Sequence, residues 1–180
     1  MDFWNRHWAH RIGRVSFRKA VAKLWRDFEA LVKFMARHHV DPVLVCGLAV
    51  QHHGYVRLTE DIDILIPRAD YDRLVADGVI KFEMLKRFNP NVQVDVLTEG
   101  KDRNPDPSVV RDPAAPNLPT LEGLVYLKLL AGRLKDHADV AELLKVHGFD
   151  PAIRQHLANL TNDPQLLADY DAIVARASRE

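Results

Sequence analysis

Two carboxylates, Asp61 and Asp63, stand two residues apart in the run Asp61-Ile62-Asp63-Ile64. Side chains alternate across a β-strand, so both acids emerge on one face, within reach of a single hard cation. Magnesium takes oxygen ligands and is usually held by one or two protein carboxylates together with substrate phosphates. A third acid, Asp95, lies in the run Val92-Gln93-Val94-Asp95-Val96-Leu97. There an unpaired carboxylate among apolar neighbours is costly to bury. If the two strands are adjacent, three acids converge on one site, a set that can serve metal ions which polarise a triphosphate and activate an attacking hydroxyl. The competing reading of an isolated Asp-x-Asp is a solvated strand end. Upstream, Cys46-Gly47-Leu48 offers a glycine turn that could admit a phosphate.

These residues need elements to position them. Phe17, Val21, Leu24, Phe28, Leu31 and Met35 recur at helical steps, so the pattern predicts a helix over 17–37 with Ser16 as its cap. Residues 43–46 read as a short buried strand, 48–53 as a short helix ended by Gly54, and 61–66 as a second strand closed by Pro67. A helix over 68–76 stops at Asp77-Gly78. Two further strands, 80–88 and 92–97, flank the turn Asn89-Pro90-Asn91. Residues 100–119, with five prolines, read as a loop or surface linker. Helices are expected over 121–134, 135–147, 151–160 and 164–177, the last two opened by Asp-Pro pairs at Asp150-Pro151 and Asp163-Pro164. The expected class is α/β in the α+β sense: a small mixed sheet flanked by helices, then a helical module. The expected divisions are a basic N-terminal helical segment (1–40), a core (41–100), a loop (101–119) and a C-terminal helical module (120–180), packed as one unit.

Composition narrows the class. At 180 residues, 47% apolar and 28% charged, the chain is that of a globular protein with a core, not a disordered one. No apolar run has the length of a membrane span, and no signal-type segment opens the chain. A single cysteine precludes an intrachain disulfide, which makes the cytoplasm the expected location. Net charge is zero but uneven: residues 1–40 carry nine Lys/Arg against three Asp/Glu. This basic start is either a surface for RNA or the internal complement of an acidic remainder. The nine histidines lack zinc-ligand spacing.

The segment "VLVCGLAVQHHGYVRLTEDIDILI" resembles the signature of the polymerase-β-type nucleotidyltransferase superfamily. It is similar to the small bacterial nucleotidyltransferases of the abortive-infection and toxin–antitoxin kind, whose pattern runs Gly-Gly-x-Ala, His-Gly, Arg-x-Thr, Asp-x-Asp. "VQVDVL" and "LPTLEGLVYLKLLAGRLKDHADVAELL" extend the resemblance to roughly residues 43–146. It implies a nucleotidyltransferase fold and transfer of a nucleoside monophosphate from an NTP to a hydroxyl of RNA (a tRNA end included) or of a protein. The implied cofactor is Mg2+ or Mn2+, held by Asp61, Asp63 and Asp95, which are also the implied catalytic acids.

Gly47, Arg57, Thr59, Lys128 and Lys135 are the implied nucleotide-binding positions. Gly47 would approach the triphosphate, Arg57 and Thr59 match Arg-x-Thr, and Lys128 resembles a triphosphate-contacting lysine. Lys135, Asp136 and Asp139 match the helical element, where the two acids suit an inter-helix or capping role. His53 matches the His-Gly element as a packing residue, while Arg133 suits a phosphate or a nearby acid equally. The chain departs from the pattern at Cys46, where the group usually has glycine. That departure keeps a second reading open: a degenerate module that binds a nucleotide or a partner such as a cognate antitoxin without turnover. Transfer to a small molecule such as an antibiotic is a third.

Overall fold

Three strands carry the acids. The structure, a computed structural model, describes residues 14–80 and 92–179. Strands β1 (Val43–Val45), β2 (Asp61–Ile66) and β3 (Gln93–Thr98) lie side by side in that order, β1 antiparallel and β3 parallel to β2. The register sets Val45, Asp63 and Asp95 abreast, with Val43, Leu65 and Leu97 in the next such row. Because side chains alternate, these residues share one face with Asp61. The opposite face presents Leu44, Ile62, Ile64, Ile66 and Val94, all buried.

Helix α1 (Arg14–Ala36) buries the stripe Leu24, Phe28, Leu31 and Met35 in this core. Each such side chain contributes roughly 1.5–3 kcal/mol. The helix starts earlier than its periodicity predicts, so Ser16 lies inside it and does not cap it. β1 runs directly into α2 (Cys46–His52) with no intervening residue. That abrupt change of direction places Cys46 at φ 56°, in the left-handed region. Cys46 therefore belongs to the helix start and not to the strand. After β2, Pro67 leads into α3 (Arg68–Ala76). Of the strand expected over 80–88 only Ile80 is described, buried and outside any strand; residues 81–88, the turn at 89–91 and the N-terminal segment with Trp4, His7, Trp8 and His10 lie outside the described residues.

The proline-rich stretch is a folded strap, not a loop. After a 3-10 turn (Lys101–Arg103), α4 (Pro107–Val110) is capped by Asp106, whose side chain accepts from Ser108 N. Strands β4 (Arg111–Asp112) and β5 (Ala115–Pro119) then pair antiparallel. Arg111 donates to the Asp41 carbonyl at 2.7 Å and Asn117 to the Pro42 carbonyl at 2.9 Å, fastening the strap beside β1. Prolines read as breakers, yet here they occupy a first helical position and strand positions of a short ribbon, where a missing N–H is tolerated.

Four helices complete the chain: α5 (Leu121–Ala131), α6 (Leu134–His147), α7 (Pro151–Leu160) and α8 (Pro164–Ala177). Helix α5 ends three residues earlier than expected because Gly132 adopts φ 63° and closes it. Asp150 and Asp163 cap α7 and α8 as their Asp-Pro pairs predict. The class is mixed α+β, with eight α-helices among the described residues, a three-stranded mixed sheet, a two-stranded sheet and a C-terminal helical part. Among the described residues no helix is long and apolar enough to cross a membrane.

Candidate active site

Parallel pairing of β2 with β3 sets Asp63 directly opposite Asp95, and Asp61 is two residues from Asp63 on the same face. One carboxylate oxygen from each of the three lies within 4.8 Å of the others, and each residue is half-buried. None of the three forms an ion pair among the described residues. Burial, joined by the negative charges of Asp61 and Asp95, pushes the Asp63 carboxyl up to about 7. Three hard oxygen donors with no positive partner of their own fit Mg2+ or Mn2+.

Two of the acids are held by neighbours. Thr59 Oγ1 donates to Asp61 Oδ1 at 2.7 Å. Gln93 Nε2 donates to both oxygens of Asp95 at 3.1 Å. The third, Asp63, has no side-chain donor of this kind among the described residues; Cys46 stands near it. Burial, then the Asp63 charge, pushes the Cys46 thiol up to about 12, so Cys46 is neutral and no nucleophile. Gln93 was not singled out from the sequence, although its position two residues from Asp95 on one strand face was a usable signal.

The other charged residues form a separate assembly. Lys128, 3% exposed on α5, lies 2.9 Å from Asp136 and 2.7 Å from Asp139 on α6. Arg57, in the segment between α2 and β2, reaches the same Asp139, with Nε 2.8 Å from Oδ1 and Nη2 3.1 Å from Oδ2. Arg133 pairs with Asp136 through Nε at 2.5 Å. Burial alone would lower the Lys128 pKa, but Asp139 and Asp136 outweigh it and raise the value. For Asp136 burial acts upward, and Arg133 and Lys128 together hold it below the usual carboxylate range. The result is a buried clasp that ties the segment before β2 to both α5 and α6. Arg57 and Lys128 are engaged in it, whereas Lys135 stands exposed on the first turn of α6, outside it.

Beside the clasp lies a small cleft of about 50 Å³, with Asp136 in its lining. Val45, Leu65 and Leu97 line it on the acids' side of the sheet, and Leu127, Lys128 and Arg133 line it from the helical part. Arg133 keeps about half of its side chain exposed there. The sheet side of the cleft is thus apolar, while its helical side carries an accessible guanidinium. His53 donates from Nε2 to the Pro119 carbonyl at 3.0 Å, which gives it a packing role against the strap.

Gly47 is buried at the start of α2 and does not adopt a positive φ. A Cβ built on it would meet Thr59 Oγ1 at 2.3 Å, so it packs against the Arg-x-Thr segment. The structure therefore brings Asp61, Asp63 and Asp95 together, with Thr59 and Gly47 behind Asp61. It gathers Arg57 and Lys128 into the clasp and leaves Lys135 apart. No family model matches this chain, and no curated protein matches it.

Proposed function

We propose that the protein is a metal-dependent nucleotidyltransferase that moves a nucleoside monophosphate from an NTP to a hydroxyl of RNA or protein, releasing pyrophosphate. The observation that carries this reading is the triad: three acids on adjacent strands, their oxygens within 4.8 Å, with no paired cation among the described residues. A bound Mg2+ or Mn2+ would supply charge neutralisation of the phosphates and of the developing alkoxide. The chain's own residues do the rest. Asp61 and Asp63 hold the cation, and Asp95, oriented by Gln93, accepts the proton of the attacking hydroxyl. That oxygen bonds to the α-phosphorus as the bond to the β-phosphate oxygen breaks. Arg133 on the cleft rim offers a guanidinium suited to a phosphate oxygen, since its pairing to Asp136 holds the fork in place.

The test is incubation with labelled NTPs, Mg2+ and total RNA, alongside the Asp61→Asn/Asp63→Asn double variant. Label should pass to an acceptor with wild type only, with release of pyrophosphate. Equal transfer by the double variant would refute the mechanism.

A second reading, a binding module without turnover, is favoured by two observations. Cys46 occupies a left-handed backbone position where glycine fits best, and Arg57 and Lys128 are neutralised within the clasp. Thermal shifts with each NTP, with and without Mg2+, separate the readings: cation-dependent stabilisation with turnover supports the enzyme, while no response to any nucleotide supports a partner-binding protein.

A further inference from the structure

We propose that Thr59 is the positioning residue that fixes the Asp61 carboxylate for a divalent cation, and that position 47 is glycine to make room for it. The inference rests on the reading of the triad as a cation site and deepens it. Asp61 opens β2, and its register partner on β3 is Gln93, not an acid. On the β1 side the pairing ends at Val45 opposite Asp63, so no β1 residue lies across from Asp61. A carboxylate at such an end can rotate freely unless something holds it. The Thr59 hydroxyl does so, donating to Oδ1 at 2.7 Å and leaving Oδ2 outside that bond. A β-branched side chain is restricted about χ1, so the hydroxyl itself is held in one place.

Gly47 completes the arrangement. A Cβ there would fall 2.3 Å from Thr59 Oγ1 and 2.8 Å from Thr59 Cβ, closer than non-bonded atoms approach. Any side chain at position 47 would evict the hydroxyl. Because Gly47 has no positive φ, its missing Cβ serves space and not backbone freedom. Three elements thus act in series: α2 makes the room, the segment before β2 supplies the hydroxyl, and β2 carries the carboxylate.

The experiment is titration of the full chain with Mn2+ alone, followed by calorimetry at pH 8. Thr59→Val keeps the shape and removes the donor, and it should weaken Mn2+ binding about 10–100-fold with the thermal midpoint little changed. Thr59→Ser restores a hydroxyl and should restore most of the affinity. Wild-type affinity in Thr59→Val would overturn the positioning role. Absence of saturable Mn2+ binding by wild type would instead remove the cation site itself, and the proposal with it. A second arm needs no cation. Gly47→Ala should lower the thermal midpoint of wild type more than that of a Thr59→Ala background. Equal losses in both would refute the pairing of Gly47 with Thr59.

Discussion

Two groups of carboxylates, one on the sheet and one on helix α6, are solved in opposite ways. Asp136 and Asp139 are the more deeply buried, yet each has cations against it: Lys128 and Arg133 for one, Lys128 and Arg57 for the other. Asp61, Asp63 and Asp95 are less buried and, among the described residues, form no ion pair; Asp61 accepts from a hydroxyl and Asp95 from an amide. Taking a charge out of water is expensive unless an opposite charge and hydrogen bonds compensate. The clasp contains that compensation, so its chemistry is complete and its role is to join elements. Among the described residues the triad lacks it, and that missing counter-charge is what our proposal of a cation site rests on.

The comparison is broken most severely by removing a cation from the clasp. Lys128→Met should destabilise the fold by about 3–5 kcal/mol, because two buried carboxylates lose their shared partner. Urea unfolding reads this directly, and a loss near zero would mean that the clasp is not a structural device. The triad should respond with the opposite sign. Asp63→Asn removes repulsion, so in the absence of divalent cation at pH 8 it should stabilise the protein by on the order of 1 kcal/mol. The same variant should abolish any stabilisation by Mg2+. Destabilisation of the cation-free protein would contradict the account of Asp63.

The two groups also separate with pH. The native Asp63 carboxyl titrates near 7, above its ordinary 3.8, so the native state binds this proton more tightly than the unfolded chain does. Its contribution to stability is therefore full below about 3.8 and is lost as pH rises through 7. Asp136, held below the usual range, contributes stability above about 3.8 that is lost as pH falls through its native value. Thermal midpoints of wild type and Asp63→Asn, taken without divalent cation from pH 5 to 8, should converge at low pH and diverge toward pH 8 in favour of the variant. A constant difference would mean that Asp63 does not titrate in this window. The smallest effect is chemical. With its thiol pushed up to about 12, Cys46 should resist iodoacetamide at pH 8 in the native protein and react after unfolding. Rapid native alkylation would contradict a neutral, buried thiol beside Asp63.

The acids were legible in the sequence because a strand's period of two fixes which side chains share a face, and apolar neighbours make an acid conspicuous. The parallel register that sets Asp63 against Asp95 was not legible, since it depends on a crossover between distant strands. The strap over 101–119 was misread as a loop because its proline, aspartate and asparagine content resembles surface chain. What orders it are hydrogen bonds to Asp41 and Pro42, about seventy residues earlier. The matching of Lys128 with Asp136 and Asp139 follows from how α5 meets α6, while spacing gives only candidates. The glycine at 47 looked like a phosphate turn. Its contact with Thr59 emerges only once the segment before β2 folds back over α2.

The central claim is that the unpaired acids, and not the paired ones, take a divalent cation. Calorimetric titration of Mg2+ and Mn2+ into wild type and the Asp61→Asn/Asp63→Asn variant at pH 8 tests it most directly. The account predicts saturable binding to wild type and none to the variant, with both folded. Absence of binding to wild type, or equal binding to both proteins, would contradict it.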